Sequence, residues 1–154
     1  MGKYKVDFLL IEDDFEEAEL TIRSLKKNNI LNTIIHIDDG AEALDYLFSR
    51  GKFIENNSTD MPRLMLLDLN LPKIGGLEIL RQVRDNPHTC MLPIVVLTSS
   101  KEEKDLMNCY ALGANSYIRK PVNFNQFVEA VRQLGLYWLV LNEPPPVNGR
   151  KIDV

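Results

Sequence analysis

Cysteine is scarce in this chain. Cys90 and Cys109 are its only two, neither sits in a CxxC pair, and no histidine spacing accompanies them. They read as two free thiols in a reducing compartment rather than as a disulfide framework or a zinc site. Long apolar runs are missing too: no stretch approaches the roughly 20 residues needed to span a bilayer. The opening MGKYKVDFLLIEDD carries only a short apolar segment before acid begins, unlike a signal peptide. It starts Met-Gly, but Val6 stands where a myristoylation signal needs Ser or Thr. Basic clusters are absent, since Lys26-Lys27 and Arg119-Lys120 are mere pairs and the net charge is -4. That gives no electrostatic reason to expect nucleic acid. The expectation is a cytoplasmic protein with neither a membrane nor a nucleic-acid partner.

What is present is the composition of one globular domain: 154 residues, 45% hydrophobic and 26% charged. Strand-like and helix-like stretches alternate along it. VDFLLI (6–11), TIIHI (33–37), RLMLLD (63–68), PIVVLT (93–98) and a short stretch within NSYIRKP predict five strands. The first, third and fourth are nearly all apolar, as central parallel strands are. Between them, apolar residues recur at helical spacing. Phe15, Ala18, Ile22 and Leu25 mark a first helix, stopped by Asn28-Asn29. After the turn Asp38-Asp39-Gly40, a second helix carries Ala41, Leu44, Leu47 and Phe48. LEILRQVRDN (77–86) is a third, and EEKDLMNCYALGA (102–114) a fourth, stopped by Gly113. Asn123 caps a fifth bearing Phe124, Phe127, Val128, Val131 and Leu134. Residues 51–62 read as a loop and the Pro-rich end from Asn142 as a largely unstructured tail. Five alternating units predict a doubly wound α/β fold, a parallel sheet covered on both faces.

In such a sheet, ligands bind beyond the carboxyl ends of the strands. The first strand ends in Glu12-Asp13-Asp14, the third in Asp68, the fourth in Thr98-Ser99-Ser100, and the fifth leads to Lys120-Pro121. Each alone has a bland explanation. Asp68 could be a turn residue, the acidic triplet could favour a helix dipole, Thr98 could be a satisfied buried hydroxyl, and Lys120 could be a surface residue. Their convergence on one edge shifts the balance. Clustered carboxylates without His or Cys suit a hard divalent cation such as Mg²⁺. A cation beside a lysine suits a phosphoryl group, and an Asp carboxylate can itself accept one.

These residues resemble the receiver domain of two-component response regulators. The pattern is the acidic pair Glu12-Asp13, Asp68 after the third strand, Thr98 thirty residues on, Tyr117 nineteen further, and Lys120-Pro121 three beyond that. The resemblance covers residues 5 to about 135 and implies a flavodoxin-like (βα)5 sheet of order 2-1-3-4-5. It implies that a histidine kinase or phosphotransfer protein gives its phosphoryl group to Asp68 with Mg²⁺ (or Mn²⁺). Asp13 would hold the metal directly, Glu12 through water, and Asn70 through its backbone carbonyl. Lys120 would pair with the phosphoryl group, Thr98 would bond one of its oxygens, and Tyr117 would turn inward. The responding face would be helix 4, strand 5 and helix 5. More narrowly, LDLNLPK (67–73), the long loop 51–62 and the ending LYWLVLNEPPP resemble single-domain regulators of cyanobacterial and bacterial phytochromes. The implied kinase is then phytochrome-type. Two features depart from the usual pattern: Glu12 replaces the commoner Asp, and Gly75-Gly76 removes a side-chain cap for helix 3.

The chain divides into a receiver, 1–135, and an extension, 136–154. About twenty residues after the fifth helix are too few for a DNA-binding domain, so the expected output is contact with a downstream protein that the sequence does not name. LGLYWLVL (134–141) either packs back on its own helix or builds a homodimer surface around Tyr137, Trp138 and Leu139. Two other functions compete. A haloacid-dehalogenase-like phosphatase also uses an Asp nucleophile with Mg²⁺, but it needs an acid two residues later, where Asn70 stands. A phosphate-independent interaction module on the same fold predicts a damaged pocket, and every pocket residue type is present. The expectation is a signalling protein, with at most slow loss of its own phosphoryl group.

Overall fold

The computed structural model describes residues 6–27, 33–55 and 61–146. At its centre lie β1 (Phe8–Ile11), β2 (Ile34–Ile37), β3 (Leu64–Leu67), β4 (Ile94–Thr98) and β5 (Ser116–Arg119). All pair in parallel, in the order β2-β1-β3-β4-β5, as the flavodoxin-like reading requires. β1 runs level with both neighbours: Phe8 sits opposite Ile34 and Leu64, Ile11 opposite Ile37 and Leu67. Three strands therefore finish together, and the residues just after them share one edge of the sheet.

Successive side chains of a strand point to opposite faces, so an apolar strand feeds two cores. Leu9, Ile11, Met65, Leu67, Ile94 and Val96 face α2 (Gly40–Leu47), α3 (Gly76–Asp85) and α4 (Glu103–Ala111). Phe8, Leu10, Leu64, Leu66, Val95 and Leu97 face α1 (Phe15–Lys27) and α5 (Phe124–Gly135). The four β3 side chains are all essentially inaccessible. Their burial contributes roughly 6–12 kcal/mol. That margin exceeds the several kcal/mol that one buried charge costs, so the strand tolerates a carboxylate at its end.

Local signals behave as their chemistry predicts. Asn123 caps α5 by accepting from Gln126 N at 3.1 Å. Asp39, read as part of a turn, is the cap of α2, with Glu42 N at 2.7 Å from Oδ1. Gly113 ends α4 at φ +97°, a conformation that favours glycine.

Several expectations need correction. Phe15 and Phe124 have the spacing of apolar helix faces, yet they are 67% and 63% exposed. Each is the first residue of its helix and projects past the end of the sheet, where there is no core to cover it. Phe15 instead sets its ring edge-on to His36 at 5.8 Å. The loop 51–62 contains a 3₁₀ turn, Gly51–Phe53, whose Phe53 packs edge-on against Tyr46. The expected stop of the first helix at Asn28-Asn29 and the tail from residue 147 lie outside the described residues; residues 142–146 form no helix or strand.

The segment after α5 differs most from a simple extension. The chain passes Gly135 in helical conformation and continues as a π-helical turn, Leu136–Leu141, closed by an i→i+5 bond from Asn142 N to Tyr137 O. Leu139, grouped with Tyr137 and Trp138 as a surface residue, is 6% exposed and belongs to the core between α1 and α5. Arg63 fixes it there by donating to the Leu139 carbonyl at 2.7 Å. Tyr137, Val140 and Leu141 remain exposed, and Trp138 lies partly against the core.

Candidate functional site

The carboxyl edge gathers the residues that the strand ends deliver. Asp68 follows β3 and is 6% exposed; Glu12 follows β1 and is 4% exposed. Lys120, after β5, reaches back across the sheet with a buried side chain. Its ammonium lies 2.6 Å from Glu12 Oε1 and 3.0 Å from Asp68 Oδ2. Backbone pairing sets that reach, since Lys120 N donates to the Thr98 carbonyl at 2.8 Å. Thr98 is fully buried and donates from Oγ1 to Asp68 Oδ1 at 2.9 Å. Asn70 is exposed, but its backbone N–H donates to the same oxygen at 3.3 Å.

Gly76 makes this packing possible. A Cβ there would stand 2.5 Å from the Asp68 carbonyl oxygen and 2.8 Å from Leu69 Cα. The second glycine of the Gly75-Gly76 pair therefore permits close approach of α3 to the loop that follows β3. Gly75 caps α3 without a side-chain hydrogen bond, its carbonyl accepting from Ile79 N at 3.1 Å.

Asp13 is exposed at the rim, yet its carboxylate, with those of Glu12 and Asp68, offers oxygens within 4.8 Å of one another. Burial, with Asp68 nearby, pushes the Glu12 carboxyl up, only partly offset by its bond to Lys120. Burial also opposes ionisation of Asp68, but Lys120 outweighs it and holds that carboxyl below the usual range, helped by Thr98. Lys120 stays charged: desolvation would lower its pKa, but the two carboxylates raise it further. Glu12 and Asp68 thus share one ammonium, and Asp13 adds a third carboxylate with no ion pair to it. An all-oxygen, negatively unbalanced set of this kind fits a hard divalent cation and gives it no soft ligand.

Tyr117 lies half-buried against the α2–α4 core, its hydroxyl donating to the Ser100 carbonyl at 3.3 Å. Ser100 N in turn donates to Thr98 Oγ1 at 3.4 Å. Tyr117 is thereby joined to Asp68 through Ser100 and Thr98. Pro121 follows Lys120 at the mouth of the site and is half-buried. Tyr137 and Trp138 stand apart from this cluster, edge-on to each other at 5.1 Å.

Two neighbours escaped the sequence reading. His36 Nε2 donates to the Glu12 carbonyl at 2.7 Å, from β2. Its position in a strand otherwise made of isoleucine was the available signal. Glu17 brings a carboxylate oxygen to 3.3 Å from Lys120 Nζ. As an acid in the first turn of a helix it looked like a dipole partner only.

A five-stranded 2-1-3-4-5 sheet with an aspartate, a threonine and a lysine converging on its carboxyl edge defines a receiver domain, and the chain belongs to that family. The family model for the response regulator receiver domain matches residues 8–132. Proteins of this class are signalling proteins rather than typical enzymes. Among its relatives is the response regulator Rcp1 of Synechocystis sp., 35% identical over 131 residues, which span 85% of this chain and 87% of Rcp1. Another is the "Probable methanogenesis regulatory protein FilR2" of Methanothrix harundinacea, 36% identical over 137 residues, 89% of this chain and 86% of that protein. Among solved structures, the phosphorylated cyanobacterial phytochrome response regulator RcpA superposes with a TM-score of 0.85 at 32% identity, covering 92% of this chain and 99% of RcpA. The Mn²⁺-bound form of Rcp1 superposes equally, at 0.85 and 33% identity, with the same coverage. Among the described residues, no helix is long and apolar enough to cross a membrane.

Proposed function

We propose that this chain accepts a phosphoryl group on Asp68 from the phosphohistidine of a phytochrome-type histidine kinase, with Mg²⁺ or Mn²⁺ as cofactor. In the transfer, the N–P bond of the donor breaks, an Asp68 O–P bond forms, and the donor imidazole leaves with a proton from solvent. The observation that carries the reading is the setting of Asp68: a buried carboxylate kept ionised between Lys120 and Thr98 at the end of a rigid strand. An ionised oxygen is the nucleophile the reaction needs. Glu12, Asp13, Asp68 and the Asn70 carbonyl would hold the cation, which neutralises charge on the transferring oxygens when bound. Lys120 then pairs with the phosphoryl group, and Thr98 donates to it instead of to the free carboxylate.

Loss of the Thr98–Asp68 bond is the local event that Tyr117 can sense through Ser100. The surface that would respond is formed by α4, β5 and α5, where Met107 and Tyr110 are already exposed. Tyr137 and Trp138, with Val140 and Leu141, form the candidate surface for a homodimer; Leu139 drops out of it because it is buried. The kinase assignment is supported by the phytochrome regulator among the similar structures.

Incubation with Mg²⁺ and acetyl phosphate, read by intact mass, tests the reading. One phosphoryl group is expected on the wild type, none on Asp68→Asn, and much less in EDTA. Labelling that persists in Asp68→Asn moves the acceptor elsewhere. The same samples, sedimented at micromolar concentration, are expected to run as dimers; monomers in both states remove the dimer from the proposal.

A further inference from the structure

Helix α1 opens with Asp14-Phe15-Glu16-Glu17. An Asp-x-x-Glu box at a helix start normally closes on itself. The Asp side chain takes an N–H up to three residues on, and the Glu returns to the N–H of the Asp. The first half of that exchange is present: Asp14 Oδ1 accepts from Glu16 N at 3.0 Å and Glu17 N at 3.1 Å. The second half is not. The Asp14 N–H is already taken by Glu12 Oε2 at 3.2 Å. Glu17 is left free to turn the other way, and its Oε1 lies 3.3 Å from Lys120 Nζ. The lysine side chain is 5% exposed and the glutamate 39%, so Glu17 reaches a buried cation from the solvent rim.

We propose that Glu17 is a positioning residue of the phosphoacceptor site, one that draws on the Lys120 ammonium in competition with Glu12 and Asp68. The inference rests on Asp68 being the acceptor, and its consequences have definite signs. Lys120 and a divalent cation compete for the same two carboxylates. A carboxylate that draws on the lysine, and adds its own negative charge, favours the cation. The same carboxylate opposes an anionic phosphodonor and competes with phosphoryl oxygens for the ammonium. Glu17 therefore tightens metal binding and slows phosphorylation. Glu16, one residue earlier and exposed, carries the same charge without the contact and serves as the control.

The test compares Glu17→Gln with Glu16→Gln in the full chain. Mg²⁺ affinity of the unphosphorylated protein is measured by calorimetry. The rate of acetyl phosphate labelling is measured at saturating Mg²⁺. Both are read at about 0.15 and 0.5 M salt, because an unpaired surface charge is screened over that range and a buried contact much less. For E17Q we expect Mg²⁺ affinity to fall about threefold or more and labelling to speed up about threefold. E16Q should stay within about 1.5-fold of wild type at the higher salt. Equal affinities for E17Q and E16Q, a difference that vanishes at high salt, or slower labelling of E17Q would each overturn the assignment. If the wild type takes no label, the acceptor reading fails, while the Mg²⁺ measurement still decides whether Glu17 acts through Lys120.

Discussion

The two ends of the sheet hold charge in opposite ways, one buried and one half-buried. At the carboxyl edge, one ammonium is shared among Glu12, Asp68 and the rim acid Glu17, and a further carboxylate, Asp13, stands beside them. Toward the other end, Arg84 of α3 is surrounded by neutral acceptors. It donates to the carbonyls of Gly113, Cys90 and Leu92 at 2.9, 3.0 and 2.7 Å, and to Asn115 Oδ1 at 3.0 Å. Asn115 Oδ1 also accepts from Ile94 N at 2.8 Å, so the cluster ties α3, the approach to β4 and the turn into β5 together. Arg84 is partnered almost to capacity and invites nothing further. The carboxyl edge carries an excess of negative charge that its own lysine does not cancel. Satisfied charge fixes a fold, whereas unbalanced buried charge waits for a ligand.

The largest effect should come from breaking the saturated end. Arg84→Met keeps much of the apolar stem but strips every donor from the carbonyls of Cys90, Leu92 and Gly113. Acceptors left partly buried cost about 1 kcal/mol each, and more where water cannot reach them. A loss of about 3 kcal/mol is expected, measured as a shift in the urea midpoint at constant slope. Mg²⁺ should not recover that loss. A cost under about 1 kcal/mol would mean that water replaces the arginine easily and that this cluster is not a structural pin.

Lys120→Met makes the corresponding cut at the unbalanced end. It leaves Glu12 and Asp68 buried with no cation between them, and one of the two can limit the damage by taking up a proton. A loss of about 2 kcal/mol is expected at pH 8 in EDTA. Here the contrast with Arg84→Met becomes sharp, because millimolar Mg²⁺ should restore most of the stability. The carboxylates are then neutralised by a ligand that binds the folded state alone. If Mg²⁺ restores Arg84→Met as well as it restores Lys120→Met, the two ends do not differ in the way described.

The sequence made one of these ends visible and not the other. Central parallel strands are uninterrupted apolar runs, so their ends could be located, and Glu12, Asp68 and Thr98 stand at those ends. Lys120 instead follows β5, a short mixed strand that the sequence marked less sharply. Arg84 carried no such mark. In LEILRQVRDN it looks like any solvent-facing helix residue, because its acceptors lie up to 31 residues away in sequence. Periodicity reports which residues face a core but says nothing about a polar side chain folded over carbonyls. The octet 134–141 failed differently. With no polar residue in it, no face could be assigned, and its π-helical path places Leu139 inward while Tyr137 and Val140 stay out. The exposed Phe15 and Phe124 kept their helical spacing but start their helices beyond the sheet, where the pattern outlasts the core. Glu17 became legible only once Glu12 was seen occupying the Asp14 N–H.

The smallest effect tests whether burial, and not mere position at the carboxyl edge, makes the difference. Asp39 lies at the same edge, at the start of α2, but outside the shared cluster. The backbone N–H of Glu42 chiefly, and Lys73 at 3.4 Å, outweigh desolvation and hold its carboxyl below the ordinary value of 3.8. A carboxyl depressed in the folded state stabilises it above its unfolded pKa and loses that contribution as pH falls through the folded pKa. Asp39→Asn keeps an oxygen for the cap but not the charge. It should therefore cost about 0.5 kcal/mol at pH 7 and progressively less as pH falls below the ordinary value of 3.8. Because its partner Lys73 is 67% exposed, salt should erase part of even this small difference. Urea midpoints of both proteins at pH 7 and pH 2, in low and high salt, measure it. A cost at pH 7 as large as that of Lys120→Met would show that charge at the rim is held as tightly as charge in the pocket, and the distinction between an edge that waits for a ligand and one that does not would fall with it.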